Sequence, residues 1–184
     1  MMSIKEKASR IKLLICDVDG VLTDGKIYIG NEGELFKAFN VKDGLGIKML
    51  LANDIDVAIL TARSSKILEK RTQELGIVNV LQGQRDKVAG LAVLSEKTGI
   101  STDCMAYIGD DLPDYAVIQR VGLAACPSDA NEEILKLAEF KSRFEGGNGA
   151  VRELAEFILK SQGKWETTLE RMFLTPDPKA KHHY

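Results

Sequence analysis

The chain has 184 residues, 45% of them hydrophobic and 28% charged, which suits one soluble globular domain with a full core. The formal net charge of -2 excludes a general electrostatic attraction to nucleic acid or to anionic membranes, so an anionic ligand needs local cations. The three cysteines, Cys16, Cys104 and Cys126, form no CxxC pair. The sequence shows no apolar run typical of a signal peptide or a membrane span. The three cysteines therefore predict reduced thiols in a cytoplasmic protein.

Short apolar runs alternate with longer amphipathic stretches along most of the chain. The predicted strands are Lys12–Asp17, Asp56–Leu60, Val78–Leu81, Met105–Ile108 and Leu123–Ala125. The predicted helices are Gly44–Ala52, Ser65–Leu75, Arg85–Thr98, Pro113–Arg120, Ala130–Leu137 and Gly149–Ser161. Strands separated by single helices predict an α/β fold, namely a doubly wound, Rossmann-like and mainly parallel sheet with helices on both faces.

One segment interrupts this alternation. Two β-prone runs flank the turn Gly30-Asn31-Glu32-Gly33, which predicts a hairpin flap over about residues 25–40, directly after the first strand. We expect the flap to overhang the end of that strand and to expose Tyr28, Phe36 or Phe39. A lone hairpin is marginally stable in water, so we expect this one to pack on a neighbouring subunit. We predict one domain over residues 1–164 and a C-terminal tail over 165–184, and we expect the polar stretch from Gln162 to Tyr184 to be partly mobile.

The first predicted strand ends in Asp17-Val18-Asp19, which places two carboxylates one residue apart. Open α/β sheets bind ligands at the carboxyl ends of their strands. Two neighbouring carboxylates repel each other unless a cation holds them together, and hard oxygen ligands favour Mg²⁺. The pair therefore predicts a magnesium site with a candidate nucleophile in it; an acidic strand-to-turn junction is the alternative.

Polar residues also follow later strands. Thr61 ends a strand, where its hydroxyl suits either a phosphate oxygen or the cap of the next helix. Lys87 begins a helix, where the helix dipole disfavours a cation, so it indicates either an anionic partner or a solvated surface position. The run Gly109-Asp110-Asp111-Leu112-Pro113-Asp114 indicates a second metal corner, with an acidic first helical turn as the alternative.

The order Asp-x-Asp, Thr, Lys, Gly-Asp-Asp resembles the haloacid dehalogenase superfamily of phosphotransferases over about residues 13–152. The resemblance implies that Asp17 is the nucleophile, which forms an aspartyl-phosphate, and that Asp19 is the general acid and base. It also implies that Thr61 and Lys87 bind the transferring phosphoryl group. The implied magnesium ligands are Asp17, Asp110 and the backbone carbonyl of Asp19, with Asp111 and Asp114 supporting them from the next layer.

Longer motifs narrow the resemblance. The runs 17–25, 40–46 and 145–153 are similar to the capless branch of the superfamily, and within it to phosphatases for a sugar-acid phosphate of lipopolysaccharide biosynthesis. No cap domain fits between Asp19 and Thr61 beyond the hairpin. The resemblance implies a cytoplasmic homotetramer with shared active sites, in which hairpins and tails of neighbouring subunits help to close each site.

A sugar acid with a carboxylate and a phosphate needs cations in addition to Lys87. Arg63 follows the Thr61 corner, and Arg71 lies roughly two helical turns further on, so we expect both to reach one rim. The resemblance implies substrate contacts at Asp19, Asn40, Val41, Lys42, Asp43, Gly44, Lys48, Arg63, Arg71 and Lys87. For Lys48 and Arg71 a surface role is the alternative, and for Asp43 an ordinary N-cap. Ala62 departs from the glycine that is usual after this threonine.

Two other functions fit the same residues. The first is a phosphatase for a related nonulosonate 9-phosphate of the sialic-acid type; Arg63 favours the eight-carbon acid, because this position varies with substrate among the similar proteins. The second is a phosphoacceptor receiver-like domain, which also combines acids, Thr and Lys on a doubly wound sheet. A receiver carries its phosphorylated Asp on a middle strand and lacks an acid/base residue such as Asp19 beside it.

Overall fold

The computed structural model describes residues 2–174. Its main sheet has six strands, which are β1 (Leu13–Cys16), β4 (Asp56–Leu60), β5 (Asn79–Leu81), β6 (Met105–Ile108), β7 (Leu123–Cys126) and β8 (Phe140–Lys141). They lie in the order β5-β4-β1-β6-β7-β8, and every neighbouring pair is parallel. A separate antiparallel hairpin consists of β2 (Tyr28–Gly30) and β3 (Gly33–Phe36).

The helices are α1 (Ile4–Ser9), α2 (Val41–Leu51), α3 (Lys66–Leu75), α4 (Lys87–Thr98), α5 (Tyr115–Ile118), α6 (Glu132–Leu137), α7 (Ala150–Ser161) and α8 (Trp165–Leu169). They cover both faces of the sheet. Alternate residues of β1 point to opposite sides: Leu14 and Cys16 join one apolar cluster with α2 and α7, while Leu13 and Ile15 join another with α4 and α5. The continuous apolar strands are therefore buried on both faces of the sheet, which confirms the predicted doubly wound fold.

The hairpin flap follows β1, and its outer face is apolar. The Tyr28 and Phe36 rings stack with centroids 4.2 Å apart, and Ile29 and Leu35 are 75% and 64% exposed. Phe36, which is 45% exposed, meets the expectation of an exposed Tyr28, Phe36 or Phe39, whereas Phe39 is partly buried against the main core. The chain turns inward there to begin α2, so Phe39 belongs to the domain and not to the outer face of the flap.

Several element boundaries differ from the predicted ones. The short elements α1 and β8 were not predicted, and α2 begins at Val41, three residues before the predicted start at Gly44. The predicted helix 113–120 divides into a 3₁₀ turn, Leu112–Asp114, and α5. The residues directly after the acidic loop therefore form the 3₁₀ turn, and the α-helix begins only at Tyr115.

The predicted tail begins with ordered structure. After α8, residues Glu170–Leu174 form a π-helical turn, and Thr168 and Met172 are buried. Residues 165–174 pack on the domain, and the expected partial mobility of the tail stays a prediction. Residues 175–184 lie outside the described part of the chain. The division at residue 164 stays a prediction. Within residues 2–174, no helix has both the length and the apolarity to cross a bilayer.

Candidate active site

Asp17 directly follows β1 at the centre of the sheet, and its backbone N–H donates to the Ile108 carbonyl at 3.1 Å. Its side chain is 12% exposed. Lys87 Nζ lies 2.8 Å from Asp17 Oδ2. Lys87 is the first residue of α4, and it also pairs with Asp114. Two buried carboxylates therefore account for a lysine at a helix start, where the dipole disfavours it.

Asp114 is fully enclosed and accepts hydrogen bonds on both oxygens. Its Oδ1 accepts from Lys87 Nζ and from the Tyr107 hydroxyl. Its Oδ2 accepts from the backbone N–H groups of Asp110, at 2.9 Å, and Asp111, at 3.3 Å. These four contacts use the acceptor capacity of the carboxylate. Asp114 therefore holds the 109–111 loop and Lys87 in place.

Three carboxylates meet at this strand end. One oxygen from each of Asp17, Asp110 and Asp114 lies within 4.8 Å of the others. Burial and the nearby Asp114 and Asp17 carboxylates together raise the pKa of Asp110 to about 8, opposed by Lys87. Burial likewise raises the pKa of Asp17 to about 6, opposed by Lys87. The site thus carries more negative charge than its own lysine neutralises.

A divalent cation fits this donor set, because the oxygens are hard and the carboxylates repel one another. Since Asp114 is already saturated, Asp17 and Asp110 are the side chains with oxygens to offer. A Cβ on Gly20 would lie 2.0 Å from Asp110 Oδ2, and Gly20 has a φ of +89°. Only glycine lets the loop after Asp17 approach the Asp110 carboxylate this closely.

Asp19 lies beyond the strand end, and two cations contact its carboxylate. Lys37 contacts Oδ1, and Arg63 Nε is 3.7 Å from Oδ2. Lys37, which follows β3 in the flap, was missed by sequence reasoning. Its position within Leu35-Phe36-Lys37-Ala38-Phe39, a lysine among apolar residues, was the available signal.

The site opens into a cavity of about 260 Å³, and its wall includes Asp17, Asp19, Thr61, Arg63, Lys87 and Asp110. Thr61 is buried at the end of β4. The N-cap of α3 is Ser65, whose hydroxyl accepts from the Leu68 N–H, so Thr61 is not the cap of this helix. Asp111 is exposed beside the cavity.

Two of the residues predicted to contact substrate make structural contacts here. Asn40 caps α2 through the Lys42 N–H and donates to the Gly147 carbonyl. Asp43 is buried and accepts from the N–H groups of Gly149 and Arg152, at 3.2 and 2.8 Å. Because glycine has no side chain to cap α7, Asp43 supplies that cap from α2. It therefore fixes the start of α7 from a position far earlier in the chain.

A separate cavity of about 320 Å³ contains the remaining predicted contacts. Its wall includes Val41, Lys42, Gly44, Lys48 and Arg71. The expectation that Arg71 reaches the same rim as Arg63 is wrong for this chain. Arg71 pairs with Glu74 of its own helix at 2.9 Å and lies over the Phe39 ring. Its guanidinium group lies against Gly44 of α2, where a Cβ would collide with it.

Comparisons with known proteins agree with this geometry. The model of the haloacid dehalogenase-like hydrolases matches residues 56–154. The chain belongs to this family. It is 49% identical over 161 residues to a Yersinia pestis protein named 3-deoxy-D-manno-octulosonate 8-phosphate phosphatase. The aligned region covers 88% of this chain and 86% of the relative.

Two solved structures of proteins with the same name share the fold. The Yersinia pestis structure has a TM-score of 0.87 and 48% identity, and covers 89% of this chain and 88% of that one. The Moraxella catarrhalis structure, a complex with a magnesium ion, a phosphate ion and a KDO molecule, has a TM-score of 0.88 and 43% identity. It covers 90% of this chain and 95% of that one.

Proposed function

We propose that this protein is a magnesium-dependent phosphatase that hydrolyses 3-deoxy-D-manno-octulosonate 8-phosphate to the free sugar acid and phosphate, a step in lipopolysaccharide precursor biosynthesis. The observation that carries the proposal is the Lys87–Asp17 contact of 2.8 Å inside an acidic cavity. A carboxylate held against a lysine and next to further carboxylates suits nucleophilic attack on phosphorus. The names of relatives at about half identity support this substrate over a nine-carbon acid.

The reaction starts with attack by a carboxylate oxygen of Asp17 on phosphorus, which breaks the bond from phosphorus to the sugar oxygen. Asp19 donates its proton to that oxygen, and the sugar acid leaves. Asp19, now a carboxylate, takes a proton from water. The water oxygen then attacks the phosphorus of the aspartyl-phosphate, which releases phosphate and restores Asp17.

The other residues act by binding and placement. Lys87 neutralises charge on the phosphoryl oxygens and keeps Asp17 in position. Thr61, which directly follows β4, donates to the same oxygens, and Arg63 adds positive charge at the rim. Asp17, Asp110 and the backbone carbonyl of Asp19 would hold Mg²⁺. The bound ion supplies charge neutralisation, which lets an anionic nucleophile approach an anionic ester.

The apolar flap and the second cavity support a proposal about assembly. Ile29, Leu35 and Phe36 are exposed on the flap, and this apolar surface suits contact with another subunit. The cavity with Lys48 and Arg71 lies outside the Asp17 cavity, so its cations suit the substrate of a neighbouring subunit. We infer a cytoplasmic homotetramer with shared sites, and one domain over residues 1–164.

Phosphate release from a panel of phosphosugars tests the function. We expect the highest kcat/KM for 3-deoxy-D-manno-octulosonate 8-phosphate, with turnover lost in EDTA and restored by Mg²⁺. An equal or higher kcat/KM for a nonulosonate 9-phosphate would transfer the assignment to that substrate. A phosphorylated protein that persists without turnover would favour the receiver-like alternative.

A further inference from the structure

We propose that Lys37 of the flap is a positioning residue for Asp19, the proposed general acid and base. The proposal deepens the proposed function and rests on it. It starts from one contact: the Lys37 ammonium group pairs with Asp19 Oδ1, eighteen residues earlier in the chain. Apart from Arg63 at 3.7 Å, Lys37 is the cation that holds this carboxylate in the described part of the chain.

The environment of Lys37 argues against a chance surface pair. Its side chain is 4% exposed, although lysine is rarely buried without a partner. Glu34 lies 3.3 Å from the same ammonium group, so two carboxylates compensate the buried charge. Lys26, also in the flap segment, shows the ordinary case: its side chain is 71% exposed and pairs with Asp24 at the surface.

Glu34 extends the contact to the main domain. The Ser65 hydroxyl donates to Glu34 Oε2, and the same residue caps α3 through the Leu68 N–H. The flap is therefore attached at two points, to Asp19 after β1 and to Ser65 before α3. A hairpin that is otherwise a separate sheet gains a fixed orientation from these polar contacts. In return, it fixes one oxygen of Asp19.

A positioning role predicts a particular pattern of rate losses. A displaced Asp19 protonates the leaving oxygen poorly, and a shift of about 1 Å can cost roughly 100-fold in rate. The loss should be large for phenyl phosphate, whose leaving group needs the proton. It should be small for p-nitrophenyl phosphate, whose leaving group departs as a stable anion. The parameter kcat/KM reports on protonation of the leaving group, because it depends only on the steps up to release of the phenol and not on later hydrolysis of the aspartyl-phosphate.

The experiment compares Lys37→Met with Lys37→Arg and, as a matched control, with Lys26→Met. We expect Lys37→Met to lower kcat/KM about 10- to 100-fold for phenyl phosphate and less than about 3-fold for p-nitrophenyl phosphate. We expect Lys37→Arg to recover part of the loss and Lys26→Met to match the wild type. Equal losses for both esters, through a higher KM, would make Lys37 a binding residue and overturn the proposal. Unchanged or faster cleavage of phenyl phosphate would overturn it as well.

Hydrogen exchange supplies a readout that does not depend on turnover. We expect faster amide exchange over residues 28–36 in Lys37→Met than in Lys26→Met, because the flap loses one attachment. Equal exchange in the two variants would refute the attachment. A wild type that cleaves the aryl esters and not the octulosonate phosphate would overturn only the proposed function. A wild type that cleaves no phosphate ester would overturn both.

Discussion

Asp110 should destabilise the metal-free protein, and Asp110→Asn should stabilise it. Burial and two neighbouring carboxylates raise the pKa of Asp110 from 3.8 to about 8. A raised pKa means that the folded state binds the proton more tightly than the unfolded state. The decrease in the free energy of unfolding that Asp110 causes is therefore absent below about pH 4, grows as pH rises, and levels off above about pH 8.

The size of the effect follows from the shift. Each unit corresponds to about 1.4 kcal/mol. Because pH 7 lies below the folded-state pKa of about 8, only the interval from 3.8 to pH 7 counts, and it sets an upper value of roughly 4 kcal/mol. Asp110 is only partly buried, and solvent screening reduces this to about 2–3 kcal/mol. The asparagine cannot ionise and removes the penalty. For a chain of this length, we expect Tm to rise by roughly 5–10 °C at pH 7.

Thermal melts in EDTA and in Mg²⁺ measure both consequences. We expect Asp110→Asn to melt higher than the wild type in EDTA, by more at pH 8 than at pH 5, and to gain little from Mg²⁺. The wild type should gain from Mg²⁺ because the ion replaces the proton between the carboxylates. The exposed Asp103→Asn is the control and should leave both melts unchanged. A lower Tm for Asp110→Asn than for the wild type in EDTA would refute the reasoning, and so would a gain from Mg²⁺ in Asp110→Asn as large as the gain of the wild type.

Four further outcomes follow from the site. Asp17→Asn should abolish phosphate release, because an amide is no nucleophile for phosphorus; wild-type turnover in a phosphate-release assay would contradict the mechanism. Asp114→Asn should lower the free energy of unfolding by about 3–5 kcal/mol in urea melts, because the amide replaces one of the two acceptor oxygens with an NH2 group that faces buried donors. The same variant should retain Mg²⁺ affinity to within about tenfold in calorimetry, and a far larger loss would make Asp114 a ligand. Mg²⁺ affinity of the wild type should rise between pH 5.5 and pH 8.5, because the raised pKa values of Asp17 and Asp110 require proton loss before binding. A pH-independent affinity would show that these protons do not compete with the ion.

Apolar patterning was enough to predict the sheet, because buried parallel strands leave a continuous signal. Leu13–Cys16 and Met105–Ile108 are buried at every position, and both were predicted to within two residues. The two-residue β8 has too few residues to show a period, and α1 is a short helix with one buried residue. Met172 escaped prediction for a different reason: it packs on a core built from distant segments, which a polar local sequence does not reveal.

Residue type and position at strand ends predicted the acidic cluster, because those positions converge in any parallel sheet. Contacts between distant segments were not predictable in the same way. Lys37 reaches Asp19 only because the hairpin folds back over β1, and Asp43 reaches Gly149 only because α2 packs against α7. Arg71 was assigned to the wrong rim for a similar reason. Helical periodicity shows which residues share one face of a helix, but it does not show which neighbouring element that face contacts.

The place of β1 in the sheet bears on how the protein is made in the cell. β1 leaves the ribosome before its two neighbours, β4 and β6, yet it lies between them. Until Ile108 has emerged, Leu13–Cys16 is an apolar segment with an open edge, which is prone to capture strands of other chains. Slow translation of codons 17–108 should therefore reduce the yield of folded protein, and chaperones that shield nascent chains should restore it.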